Sequence, residues 1–257
     1  EDSAASIIVV DGHGKRGAAL SAAARDGLAR TTQSCQGGKG ASEDLAQALL
    51  SVDAGLLIHD QVDAELAGAS CTVLRVDGLG SSTRRLAVAH LGDCRAVLGR
   101  VKSTSDTWTW TAVRLTEDHR PGEVSEAARL ASVGGRVCKA AAPAGIDASV
   151  LGPPRLWHRQ QREAPGLAMS RGMGDTLGKA CGLSAEATAA ERDLIAEDVV
   201  VVVGSDGISD VLSDAEVLHC CRQFYGEKEA AKAAAAVVSA ARREWERRGP
   251  YTDDCSC

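Results

Sequence analysis

Five consecutive valines in residues 198–203 (DVVVVV), stopped by Gly204-Ser205-Asp206-Gly207, constrain the fold more than any other stretch of this chain. β-Branched side chains crowd a helix and suit a pleated strand. Residues 6–10 (SIIVV) make a second apolar run, and it also stops at an aspartate followed by glycine, Asp11-Gly12. Both read as buried strands broken by a turn.

The remaining pattern alternates clusters of strands with groups of helices. Helical spacing covers residues 17–30, 42–66 (Leu45, Leu49, Val52, Leu56), 123–133, 214–223 and 227–248, the last stopped by Gly249-Pro250. Strand patterns fall at residues 68–76, 85–91, 94–100 and 108–115, with 94–100 expected as the hairpin partner of 85–91. Residues 138–166 are irregular, 176–193 read as a loop, and the segment after Asp253-Asp254 reads as the start of a strand. Hairpin-like strand clusters with helices between them favour an α+β layered fold with antiparallel sheets over a doubly wound one. One Phe and two Tyr leave the core to Ala, Val and Leu. No internal repeat or linker divides residues 1–257, which are expected to form a single domain cut at both ends.

Four aspartates share one setting. Asp11, Asp206, Asp93 (after AVAHLG) and Asp175 (after MSRGMG) each follow an apolar segment and sit beside a glycine. A strand end holds a carboxylate rigidly, and glycine leaves room for close backbone approach. Several such ends converging would gather like charges, which stay ionised together only beside a neutralising cation; a hard divalent ion prefers oxygen ligands. Taken singly, Asp-Gly is a common turn. His13, two residues past Asp11, would place a proton donor beside the ion.

Seven segments, in order, resemble the type 2C, metal-dependent (PPM) serine/threonine protein phosphatases. Glu1-Asp2 is similar to the end of that family's Met-Glu-Asp, VVDGHG (9–14) to its Asp-Gly-His-Gly signature, and LGDCRAV (91–97) to its Gly-Asp-Ser-Arg, with Cys94 for serine. LTEDHRPGEVSEAARLASVGGRV (115–137), GLAMSRGMGD (166–175), GSDGISDVL (204–212) and YTDDCS (251–256) resemble the family's later motifs, with Asp254 where the family has Asn. The stretch 154–170 looks most like eukaryotic members, plants included.

The resemblance implies a four-layer α-β-β-α sandwich, two antiparallel β-sheets flanked by helices. It implies Mg2+ or Mn2+ at two ions, with Asp11 bridging them. Glu1 and the carbonyl of Gly12 would complete one ion's protein ligands, and Asp206 and Asp253 would hold the other. Asp93 and Asp210 are candidates for a third ion, with turn capping as their other reading; Asp175 is in a matched motif but is not expected to be a direct ligand. Catalytic roles fall to Asp11 and His13: a water activated between ions about 3.5–4 Å apart attacks phosphorus, and His13 protonates the leaving oxygen. Arg171, Glu126 and Arg129 are expected to be structural, and residues 176–193 to be a variable flap near the site.

Phosphorylated proteins are the implied partners, with a monomer expected. A net charge of −6 argues against nucleic acid, and no apolar run reaches membrane-helix length. The nine cysteines are scattered without Cys-x-x-Cys pairs, which favours free thiols in a reducing compartment, cytoplasmic or nuclear. None is expected in a phosphate-cradling Cys-x5-Arg loop, so a cysteine phosphatase is disfavoured. Two other functions stay open: a catalytically inactive pseudophosphatase used as a binding or regulatory module, and a metal-dependent hydrolase of small phosphate esters.

Overall fold

In strand β1 (Ser3–His13) alternate residues turn to different cores: Ile8 and Val10 face one way, Val9 the other. That period of two recurs through the sheets and sets the layers. The computed structural model describes residues 3–35, 37–58, 64–103, 107–140, 152–157, 165–226 and 229–257.

The first sheet runs β1-β2-β3-β10, all antiparallel, from β2 (Gly68–Leu79), β3 (Arg84–Leu91) and β10 (Thr188–Leu194), with the short β9 (Met173–Gly174) also paired to β2. Ala69, Cys71, Val73, Ala87, Ala89 and Leu91 form its outer face. Onto them pack Leu20, Ala24 and Leu28 of α1 (Gly17–Thr32) and Leu45, Leu49, Val52 and Leu56 of α2 (Ala41–Leu57). Small sheet residues bring the helix axes close, which is how a core poor in rings fills its volume. Among the described residues no Phe, Trp or Tyr is fully buried.

The second sheet, β11-β4-β5, is built from β4 (Arg95–Ser103), β5 (Trp108–Arg114) and β11 (Asp198–Gly204). Its inner residues Ala96 and Val203 meet Val9, Leu74, Leu86 and Val88 of the first sheet. Its outer residues Val97 and Val202 meet Val217 and Leu218 of α6 (Asp214–Arg222) and Val237 and Ala241 of α7 (Ala230–Arg248). Helix α6 begins at a capping box, Ser213 with Glu216. The result is the expected α-β-β-α sandwich. A small third sheet, β6 (Arg136–Cys138), β7 (Arg155–Trp157) and β8 (Pro165–Leu167), carries its own apolar cluster of Leu130, Leu156, Leu167, Met169, Cys181 and Leu183. Helix α3 (Val124–Ser132) supplies Leu130 to that cluster.

Four expectations are corrected. Residues 94–100 are not the hairpin partner of 85–91, because after Asp93 the chain crosses to the second sheet and β4 pairs with β11 and β5. Helix α2 stops at Leu57 rather than near residue 66, and the residue after it, Ile58, is exposed. Residues 176–193 are not a flap loop. They hold the short α4 (Thr176–Lys179) and most of β10, a strand whose polar sequence TAAERDL carries no apolar alternation because it closes a sheet edge. Residues 251–257 form no regular strand, although they lie against the end of β11. No helix among the described residues is long and apolar enough to cross a membrane.

Candidate metal centre and its surroundings

The ends of β1 and β11, one from each sheet, bring Asp11 and Asp206 to one cavity, near enough for each carboxyl to act on the other. Carboxylates gathered in this way stay ionised together only beside a neutralising cation. Burial first, then the neighbouring Asp206, pushes the Asp11 carboxyl far above the ordinary carboxylate range. Burial also raises Asp206, with Asp253 adding to the effect.

Asp253 reaches the same place because the C-terminal segment is pinned. The Ser205 N–H donates to the Ser256 carbonyl at 3.0 Å, and the Ser205 hydroxyl donates to the Asp254 carbonyl at 2.9 Å. Gly207 is required for this approach, since a Cβ there would run into the Asp254 carbonyl. Asp11, Gly12, His13, Asp93, Asp206 and Asp253 all line one cavity of about 340 Å³. Glu1 lies outside the described residues.

Asp93 is 1% exposed, and neither of its carboxylate oxygens has a hydrogen-bond partner among the described residues. Burial, then the charge of Asp206, raises it as well. Buried, unpartnered carboxylate oxygens beside a carboxylate pair are a donor set suited to hard divalent cations. Among the described residues no three such side chains converge on a single point, so the fit rests on this donor chemistry and not on a closed cage. Asp210 stands apart from the cavity. Its Oδ1 accepts from Arg120 Nη2 at 2.6 Å, so it would ligate an ion only by giving up that pair.

The residue whose role the motifs left open is Asp175. It is 1% exposed, sits in the left-handed region at φ 47°, and its Oδ2 lies 2.5 Å from Nε2 of His13. Gly68, directly across from His13 in the β1–β2 register, makes room for that carboxylate. The turn is held from behind by Asp53 of α2, whose Oδ1 accepts the Gly174 N–H at 2.9 Å and whose Oδ2 pairs with Lys179 at 3.0 Å. With Nε2 engaged, His13 Nδ1 is the ring atom left without a partner among the described residues.

Around this centre the structural expectations hold. Glu126 accepts from Arg171 (2.6 Å), Arg129 (2.8 Å) and Ser170 (2.6 Å). Burial alone would raise its pKa, but these donors hold it well below the usual carboxylate range. The spacing Cys-x5-Arg does occur, from Cys94 to Arg100, but no loop lies between them. Cys94 is buried against Ser70 at 3.1 Å with its thiol pushed well above its ordinary value by burial, and Arg100 pairs with Asp198 at 2.8 Å. Neither is placed to cradle a phosphate.

The Gly92-Asp93 turn is latched by His119, whose Nδ1 accepts the Gly92 N–H at 3.2 Å while the His119 backbone N–H donates to the Gly92 carbonyl at 2.9 Å. Its ring stacks on His90 with centroids 4.4 Å apart and 8° between planes. Burial, then the charge a protonated His90 would carry, pushes His119 down from 6.5 to about 3. A histidine lowered on folding stabilises fully above its unfolded value and loses that contribution as pH falls below it. The stability advantage of the native protein over His119→Gln should therefore shrink between about pH 6.5 and 5, by roughly 1.4 kcal/mol per pH unit at the steepest. Urea titrations of both proteins across that range check this, and a constant difference would show that His119 does not titrate with unfolding.

A sequence profile of the family described as Protein phosphatase 2C matches residues 1–245. Probable protein phosphatase 2C 64 of Oryza sativa subsp. japonica is 33% identical over 266 residues, covering 100% of this chain and 58% of that protein. Probable protein phosphatase 2C 48 of the same organism is 36% identical over 213 residues, covering 81% of this chain and 56% of that protein. The chain thus spans little more than half the length of these relatives. A serine-threonine phosphatase 2C from Toxoplasma gondii shares the fold, with TM-score 0.72 at 20% identity over 98% of this chain and 83% of that one. So does the catalytic domain of serine threonine protein phosphatase PstP, solved with two manganese ions, with TM-score 0.51 at 20% identity over 95% of this chain and 85% of that one. By its sequence match over nearly its whole length, this chain belongs to the protein phosphatase 2C family.

Proposed function

We propose that this protein hydrolyses phosphoserine and phosphothreonine esters in proteins with the help of two divalent cations, Mg2+ or Mn2+. The observation that carries the reading is the meeting of Asp11 and Asp206, from two different sheets, in a cavity that also holds Asp253 and the His13–Asp175 pair. When bound, the cations would supply positive charge to the phosphoryl oxygens and lower the pKa of a water. Asp11 would bridge them; the Gly12 carbonyl and Glu1 would serve one ion, and Asp206 and Asp253 the other. Asp93, whose oxygens have no partner among the described residues, supports a third position better than Asp210 does.

The protein's own residues account for the proton. Asp175 fixes the His13 ring through Nε2, and His13, which lines the cavity, would hand a proton to the departing seryl or threonyl oxygen. No side chain of the cavity serves as a nucleophile in this scheme, which agrees with the burial of Cys94 behind Ser70.

Hydrolysis of para-nitrophenyl phosphate and of a phosphothreonine peptide, each measured with manganese and then with EDTA, tests the reading. Turnover of both that is lost to EDTA and restored by added metal is expected. No metal-dependent turnover would assign the protein to the binding or regulatory alternative, and turnover of the small ester alone would assign it to small phosphate esters.

A further inference from the structure

The geometry points to Arg155 as the residue that binds the phosphoryl group of the substrate. This rests on the phosphatase reading and adds a phosphoryl contact made by the protein itself. Six carboxylates line that cavity, Asp11, Asp93, Asp175, Asp206, Asp253 and Asp254, and among its described lining residues Arg155 is the one guanidinium. A phosphate monoester dianion entering such a field needs positive charge beyond that committed to the carboxylates.

Arg155 is built to supply it. Strand β7 is anchored by Leu156, fully buried in the cluster of Leu130, Leu167 and Met169, and by Trp157, whose Nε1 donates to the Cys138 carbonyl at 2.9 Å. Alternation along the strand therefore holds the Arg155 backbone on a fixed base and turns its side chain away from that cluster. One edge of the guanidinium is tied down as well, with Nη1 donating to the Gly166 carbonyl at 2.9 Å. Among the described residues Arg155 makes no ion pair, whereas Arg95, Arg120, Arg129 and Arg171 around the neighbouring loops are all committed to carboxylates. A rigid arginine with donors to spare is the side chain that matches two phosphoryl oxygens in a fork. Tyr251 lines the same cavity, itself held edge-on by Trp245 with ring centroids 5.6 Å apart.

Competitive inhibition by inorganic phosphate reads this contact directly, in the manganese-loaded chain. In Arg155→Ala the inhibition constant for phosphate and the KM for para-nitrophenyl phosphate should both rise about tenfold or more, the usual weight of a charge-assisted hydrogen bond. Arg155→Lys, which keeps the charge but not the fork and leaves β7 undisturbed, should fall between. Manganese affinity, titrated without substrate, should be unchanged in both. Unchanged phosphate inhibition would overturn the assignment. So would an effect confined to peptides with acidic residues beside the phosphothreonine, which would make Arg155 a reader of flanking carboxylates. A parallel loss of manganese affinity would make it a support of the metal centre instead. If the native protein turns over no ester, the phosphatase reading fails by itself; calorimetric binding of phosphate to the manganese-loaded native and Arg155→Ala proteins still decides this contact.

Discussion

Asp11→Asn is expected to remove nearly all phosphatase activity while making the metal-free protein more stable at neutral pH. The two effects have one cause. Asp11 and Asp206 are partly buried in one cavity, where burial raises the pKa of both, Asp253 adds to the rise of each and Asp93 to that of Asp11. A carboxyl raised on folding contributes stability fully below its unfolded value of 3.8, and that contribution is lost as pH rises through the folded value. At neutral pH the metal-free protein must therefore take up a proton at Asp11 that the unfolded chain lacks, or hold a charge that its fold opposes; asparagine, neutral in both states, removes that cost at nearly constant volume. The same substitution removes the anionic oxygen expected to bridge the two ions. A fall of about a thousandfold in kcat/KM, roughly 4 kcal/mol of transition-state stabilisation, is the expected scale. Asp206→Asn should behave alike. Thermal unfolding in EDTA and then in manganese separates the parts: the native protein should gain stability on adding metal by mass action, and the variants should gain little. Near-native turnover in either variant would sink the metal assignment, and a metal-free variant less stable than the native protein would sink the electrostatic account.

This clash of charge is also why the centre could be read before the fold was seen. An aspartate after SIIVV and another after VVVVVGS are each an ordinary turn, but their common setting placed two carboxylates at strand ends, and the sheets bring those ends together. The layers were legible for the same reason, since alternation of period two survives wherever one face of a strand meets a core. What was not legible depends on long-range partners. Strand β10 presents TAAERDL to a sheet edge, and its glutamate and aspartate are there to meet Arg85 at 2.7 and 2.8 Å, a partner 106 and 108 residues away. The pairing of β4 with β11 instead of β3 is decided by the crossing after Asp93, which local sequence does not encode. Asp53 did leave a signal that went unused: it falls four residues after Leu49, a carboxylate on the apolar face of α2, and it is there because Gly174 and Lys179 need it. Asp175 shared the glycine-aspartate setting of the ligand candidates, yet its partner is a histidine, a distinction that only the left-handed turn and the space over Gly68 make.

That turn yields the second large effect. His13→Asn is expected to slow hydrolysis of a phosphothreonine peptide about a hundredfold while changing para-nitrophenyl phosphate turnover by no more than about threefold. A threonyl alkoxide is a poor leaving group and needs a proton in the transition state, whereas nitrophenolate departs without one. Asp175→Asn should show the same split at smaller size, because it keeps the side-chain shape but weakens the bond that fixes His13 Nε2. Asparagine is the informative choice at this position, since it tolerates the left-handed backbone at φ 47° that alanine would strain. Manganese affinity should be unchanged in both variants, which separates loss of the proton donor from loss of the ions. Equal losses on the peptide and the aryl ester would remove His13 from the role of general acid. A loss in Asp175→Asn without the leaving-group split would make the Asp175–His13 contact a support of the strand ends alone.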